Sequence, residues 1–210
     1  MFSFTSNIWI FKSWCFILEN IIFSQRHYRL LLIKEYFPFV PSTLLSSIIE
    51  KINQNTDYIE FSHMINGRWE NQYLSFNFIP EVLNILRLAC RAGRAITGKS
   101  LIIPHKGLGF PADEFWFNIA NRGDTTGWHD HKSDAILSGV YYLDVPKNSG
   151  NINFRKRLNN LWNEFYLRSE TGKMILFDSK IQHSVTENQS NARRISLAFN
   201  LYTFPLQKGI

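Results

Sequence analysis

Apolar positions change their period once along this chain, from helical spacing in the first half to strict alternation in the second. Leu44, Leu45, Ile48, Ile49 and Ile52 recur on one side of a 3.6-residue turn, which predicts a helix. Ser42 or Thr43 is its expected cap, and Asn53-Gln54-Asn55 its expected end. A second helix is predicted from Pro80, a good first-turn residue, to Gly98. It carries Val82, Leu83, Leu86, Ala89 and Cys90 on one face. From Glu114 onward Phe115, Phe117 and Ile119 alternate with Trp116 and Asn118, as in a strand buried on one side. Further strands are predicted at 136–143, 151–154, 173–178 and 193–204, with a loop bearing His183 after the fourth of these five strands.

Helices come first and strands follow, with the strands too closely spaced for βαβ crossovers. The expected class is mainly β with flanking helices, an antiparallel sandwich or barrel of the jelly-roll kind. Residues 34–210 read as a single domain with a helical first half and a jelly-roll core at about 110–204. Residues 1–33 read as an N-terminal extension. The stretch 155–170 is long, aromatic and basic, and reads as a substrate lid or recognition insert, with a surface helix as the plainer alternative.

Composition narrows the classes. A hydrophobic content of 45%, with 18 phenylalanines and 6 tryptophans, supports a packed core and argues against disorder. The formal charge of +6 suits ordinary solubility. No clear nucleic-acid motif, neither zinc-finger spacing nor a long basic run, accompanies it. Cys15 and Cys90 form no CxxC pair or disulfide framework, so a reducing, cytoplasmic setting is expected. The apolar stretch at residues 8–23 is interrupted by Lys12 and Glu19, which disfavours a spanning helix and leaves membrane-surface association as the alternative to an extension of little consequence.

The candidate chemistry begins at His129-Asp130-His131. Two imidazoles at i and i+2 of an extended segment point the same way. A third from His183 could close one face of a metal, leaving the other open for substrate and oxygen, as in non-haem Fe(II) oxygenases. On the final strand Ile195, Leu197, Phe199 and Leu201 share one face, and Arg194, Ser196, Ala198 and Asn200 share the other. That second face reads as the wall of a polar pocket. Trp128 beside the first histidine either fills core or walls that pocket.

Several stretches together resemble the 2-oxoglutarate/Fe(II)-dependent oxygenase superfamily. They are Phe117-Asn118-Ile119-Ala120-Asn121-Arg122-Gly123-Asp124, His129-Asp130-His131, Leu137-Ser138-Gly139-Val140-Tyr141-Tyr142-Leu143, Gly172 to Phe177, His183-Ser184-Val185 and Arg194 to Asn200. The similarity is strongest to small members with an H-x-H…S-G-V-Y-Y-L pattern. The resemblance implies a double-stranded β-helix, Fe(II) held by His129, His131 and His183, and 2-oxoglutarate and O2 as co-substrates. It implies a far carboxylate of 2-oxoglutarate met by Arg194 and Ser196, with Tyr142 a second donor. Asn118, Trp128, Asp130 and Asn200 are expected beside substrate or behind the ligands. The activity implied is hydroxylation of a C–H bond with release of succinate and carbon dioxide, on a small molecule or a protein side chain.

One position departs from the superfamily pattern. The usual ligand pair is H-x-D, and here the third slot holds His131. Either three histidines hold the iron, or an irregular strand lets Asp130 or Asp134 serve in place of one. Two other readings stay open at this point: a three-histidine cupin-like dioxygenase that does not use 2-oxoglutarate, and a jelly-roll binding module without catalysis.

Overall fold

The structure is a computed structural model that describes residues 32–65, 68–131, 134–158 and 161–205. The expectations for residues 1–33 and for the membrane-surface stretch 8–23 lie outside the described residues, apart from Leu32 and Ile33. Among the described residues no helix is long and apolar enough to cross a membrane.

Two antiparallel sheets form a jelly roll. The larger contains β1 (Ile33–Tyr36), β2 (Glu60–Ile65), β3 (Arg68–Tyr73), β4 (Leu101–Ile102), β5 (Phe115–Ala120), β7 (Leu137–Asp144), β10 (Met174–Asp178) and β12 (Arg194–Thr203). Its order is β1-β10-β7-β12-β5-β3-β2, with β4 also paired to β12. The smaller contains β6 (Thr126–His129), β8 (Ile152–Leu158), β9 (Leu161–Leu167) and β11 (Gln182–Val185), in the order β6-β11-β8-β9.

Alternation along the strands decides which side chains meet which layer. Leu137, Tyr141 and Leu143 of β7, with Leu197, Phe199 and Leu201 of β12, join Phe115 and Phe117 of β5 in the main core. Helices α1 (Ser42–Gln54) and α2 (Val82–Thr97) cover this face and contribute Ile48, Ile52, Val82, Ile85, Leu86 and Ala89 to it. Burying these side chains stabilises the domain at about 25 cal/mol per Å² of apolar surface removed from water. On the opposite face Val140, Phe177, Phe154 and Ile152 form a second, smaller cluster between the sheets.

Gly139 of β7 has no room for a side chain, since a Cβ there would meet the Phe199 ring of β12 and lie 2.6 Å from the Leu176 side chain of β10. This is the close backbone approach that lets a glycine persist inside a strand.

The helix boundaries differ slightly from expectation. Pro41 precedes α1, and neither Ser42 nor Thr43 caps it through a side chain. The end is as expected, with Asn55 donating from Nδ2 to the Lys51 carbonyl. The second helix starts at Val82, because Pro80 and Glu81 belong to the preceding turn. Gly98 ends it in the left-handed region at φ 70°. The stretch 155–170 holds strand and not a surface helix: β8 and β9 pair as a ribbon from Ile152↔Leu167 to Leu158↔Leu161.

Candidate active site

Between the sheets lies a cavity of ≈ 460 Å³. Three imidazoles converge in it. His129 ends β6 and is the register partner of His183 on β11. His131 follows two residues later, and its backbone N–H donates to the Ser179 carbonyl at 3.0 Å, which fixes the segment after β6. The ring centroids of His129 and His183 are 4.2 Å apart, and those of His131 and His183 are 5.2 Å apart. One ring nitrogen from each residue lies within 4.8 Å of the others.

The ring orientations are set from behind. His129 Nδ1 lies 2.9 Å from the Gly127 carbonyl, and His183 Nδ1 lies 3.1 Å from the Ile181 carbonyl. A carbonyl can only accept, so Nδ1 carries the proton and Nε2 keeps its lone pair. Outer partners of this kind orient histidine ligands in metal sites. Burial, helped by the neighbouring His129 and His131 rings, holds the His183 pKa well below the ordinary value. Burial and the His129 ring pull His131 from 6.5 to about 4, with Asp130 opposing. Both rings are therefore neutral and ready to bind a metal at neutral pH. Three imidazole nitrogen donors close together, two of them oriented by backbone carbonyls, fit Fe(II).

Asp130 lines the cavity but does not belong to this three-residue group, and Asp134 is exposed. Trp128 does not line the cavity. Alternation along β6 turns it to the outer face of the smaller sheet, where the Arg155 guanidinium lies 4.3 Å from the Trp128 ring and 4.3 Å from the Trp162 ring.

The larger sheet supplies the polar floor. Tyr142, Ser196 and Asn118 are cross-strand neighbours in one row, since Ser196 pairs with Tyr142 on one side and Asn118 on the other. Arg194 lies two residues from Ser196 on the same face and is 1% exposed. Its Nη1 donates to the Ser149 carbonyl at 2.6 Å. Among the described residues no carboxylate forms an ion pair with it. Burial lowers its pKa, with the Tyr142 phenol acting in the opposite sense. Burial likewise raises the Tyr142 phenol. A buried guanidinium without a carboxylate is costly unless a ligand supplies one.

Asn118 and Asn200 line the cavity, yet both amides are engaged within the protein. Asn118 donates to Glu70 Oε2 at 2.9 Å and accepts from Arg68 Nη2 at 3.2 Å. Asn200 accepts from Ser138 Oγ at 2.8 Å and donates to Glu114 Oε2 at 3.0 Å. They brace neighbouring groups.

The sequence reading missed three parts of this site. Arg68 and Glu70 on β3 pair at 2.7 Å, and Thr126 Oγ1 also donates to Glu70 at 2.7 Å. Their i, i+2 spacing was the available signal. Asp113 and Glu114 stand at the start of β5, where the period change was visible but their position on the cavity wall was not. Gly150, at φ +94°, leaves room for the guanidinium, because a Cβ there would sit 2.8 Å from Arg194 Nη1.

Comparison with known proteins agrees with this picture. Residues 114–200 match a family model described as "Putative 2OG-Fe(II) oxygenase". No curated protein matches the chain. Among solved structures, the chain is similar to the non-heme alpha-ketoglutarate-dependent carbocyclase SnoK from nogalamycin biosynthesis, with 12% identity, 83% and 80% of the two chains covered and a TM-score of 0.62. The epimerase SnoN in complex with Fe3+, alpha-ketoglutarate and nogalamycin RO shares 12% identity over 87% and 84% of the chains, with a TM-score of 0.64. A Pseudomonas putida prolyl-4-hydroxylase shares 16% identity over 87% and 91%, with a TM-score of 0.51. Over residues 114–200, which carry the three histidines and Arg194, the chain is similar to that family of 2OG-Fe(II) oxygenases; it shares its jelly-roll fold with these structures, and the three-histidine cluster fits an iron site.

Proposed function

We propose that this chain hydroxylates a C–H bond of a small molecule or a protein side chain, with His129, His131 and His183 as the three iron ligands. The carrying observation is the placement of three convergent imidazoles and one buried, carboxylate-free guanidinium in a single cavity. When bound, Fe(II) with 2-oxoglutarate and O2 supplies the oxidising power, and 2-oxoglutarate leaves as succinate and carbon dioxide.

The residues divide the remaining work. Gly127 and Ile181 carbonyls hold the two facing rings with Nε2 presented. Arg194 receives the far carboxylate of 2-oxoglutarate through its planar fork, and Tyr142 and Ser196 add hydroxyl donors from the adjacent row. Val140 and Phe177 give the cavity an apolar side that limits water near the reacting centre. Asn118 and Asn200 hold the cavity walls and Asp130 borders the histidines. Residues 34–210 act as the single catalytic domain, in a reducing cytoplasm that keeps iron ferrous and Cys90 a thiol.

The test is an anaerobic titration of Fe(II)-loaded protein with 2-oxoglutarate. A visible metal-to-ligand charge-transfer band and, on admitting O2, release of succinate are expected. A protein that binds Fe(II) but gives neither result is a metal protein of another kind.

A further inference from the structure

The cavity is acidic inside a basic protein. The chain carries a formal net charge of +6. Yet four carboxylates line the cavity, Glu70, Asp113, Glu114 and Asp130, against the single guanidinium of Arg194. Ferrous iron and the 2-oxoglutarate dianion cancel each other in charge. Arg68 pairs with Glu70. Among the described residues no ion pair neutralises Asp113 or Glu114: Asp113 accepts from the Lys106 backbone N–H at 2.7 Å, and Glu114 accepts from the Asn200 amide.

A second feature points to a ligand independently. Glu70 is 3% exposed and lines the cavity, and its Oε2 accepts from Arg68, Thr126 and Asn118. Its Oε1 is buried with no donor at all. An orphaned carboxylate oxygen beside a cavity is a receptor for an N–H or O–H from whatever fills it.

Aromatic faces complete the environment. Trp116 stands 5.7 Å, centroid to centroid, from the His131 ring, and Tyr73 stands 6.3 Å from Trp116. Burial raises the Tyr73 phenol, and the Glu114 and Asp113 charges push it further the same way, so those carboxylates are felt at this wall. Indole and phenol faces with unpaired carboxylates nearby attract an organic cation.

We infer that the substrate is a nitrogen cation, an ammonium or guanidinium compound, held between the Tyr73–Trp116 wall and the Asp113 and Glu114 carboxylates, with Glu70 Oε1 accepting a further donor. The inference rests on the oxygenase reading for which half of the cavity is free for substrate. It does not rest on that reading for the charge preference itself.

The test is calorimetric binding to the full chain, first without metal and then anaerobically with Fe(II) and 2-oxoglutarate. The probes are agmatine as a free cation, Nα-acetyl-lysine amide as a cation on a peptide-like unit, Nα-acetyl-norleucine amide as its neutral match, and Nα-acetyl-glutamate amide as an anion. At least one cationic probe is expected to bind about tenfold or more tightly than the neutral match, with the preference shrinking as salt is added. Tighter binding of agmatine identifies a free amine as the substrate type, and tighter binding of the lysine amide a side chain. The isosteric variants Asp113→Asn and Glu114→Gln, which keep the acceptors for Lys106 and Asn200, are expected to erase most of the preference. Equal binding of the neutral probe, or tighter binding of the anion, overturns the inference even if the charge-transfer band forms. Cation preference without that band supports the inference and overturns the oxygenase reading alone.

Discussion

His129 and His183 face each other across the β6–β11 pair, and each ring is anchored by the same device, an Nδ1 bond to the carbonyl two residues earlier. The two anchors make the pair a rigid pincer. They also assign the tautomer, since both leave Nε2 as the acceptor in the cavity. A metal arriving there meets donors that need little reorganisation.

Replacing either pincer histidine by alanine is therefore expected to remove high-affinity Fe(II) binding. The loss should exceed the roughly 10–100-fold that follows from removing an outer partner of a ligand. Anaerobic titration with Fe(II), or with Co(II) as a spectroscopic substitute, measures it. His131→Asp provides the sharper comparison, because it restores the H-x-D pattern common in the superfamily. If His131 is a ligand, this variant keeps metal binding and shifts the charge-transfer band.

Acid should weaken the metal-free protein through the same rings. Burial depresses His131 to about 4 and His183 well below 6.5. Between pH 6.5 and about 4 the unfolded chain binds protons that the folded chain refuses. Stability then falls as pH falls, by at most about 1.4 kcal/mol per pH unit for each ring held neutral. Denaturant melts from pH 7.5 to 4.5 test this. The His131→Asn variant should show a shallower slope, and saturating metal should delay the loss to lower pH.

The parts of this site that were legible in the sequence are those where alternation is clean. On β12 the apolar set Ile195, Leu197, Phe199 and Leu201 fixes the register. That in turn sends Arg194, Ser196 and Asn200 to the cavity. Tyr141 and Tyr142 divide the same way, one into the core and one into the cavity. The hairpin β2–β3 was illegible because its inward side chains are polar. Arg68, the Oε2 atom of Glu70 and Gln72 bond to Asn118, Thr126 and the Ile119 carbonyl, partners some fifty residues away that local pattern cannot reveal. Trp128 shows the opposite error. Adjacency to His129 in sequence means opposition in space, because neighbours on a strand face opposite sides.

The Trp128–Arg155–Trp162 stack predicts a structural effect separate from chemistry. It ties the β8–β9 ribbon to β6 on the outer face, and Arg155 Nε also donates to Gln182 at 2.8 Å. Each guanidinium–indole contact at such a site contributes about 0.5–1 kcal/mol. Arg155→Ala should therefore lower stability by about 1–2 kcal/mol in urea melts. It should leave 2-oxoglutarate affinity of the Fe(II)-loaded protein nearly unchanged. Lys at this position keeps the charge but not the planar stack, and should recover only part of the loss.

Arg194 and Gly150 provide the most discriminating pair of variants. Arg194→Ala removes the buried fork and should weaken 2-oxoglutarate by about 2–5 kcal/mol, the range for truncating one partner of a buried charge pair. Metal binding should survive, since the imidazole cluster does not use this side chain. Gly150→Ala leaves the guanidinium in place and disturbs its position. Its new methyl meets Arg194 Nη1 and the Thr186 carbonyl, and the φ of +94° disfavours any side chain. The expected result is a stability loss of about 1 kcal/mol or more. The 2-oxoglutarate affinity should fall less than in Arg194→Ala, with the charge-transfer band still reachable at high co-substrate. If Gly150→Ala destabilises the fold but leaves 2-oxoglutarate affinity untouched, the carboxylate is bound elsewhere and Arg194 is only a structural strut to Ser149.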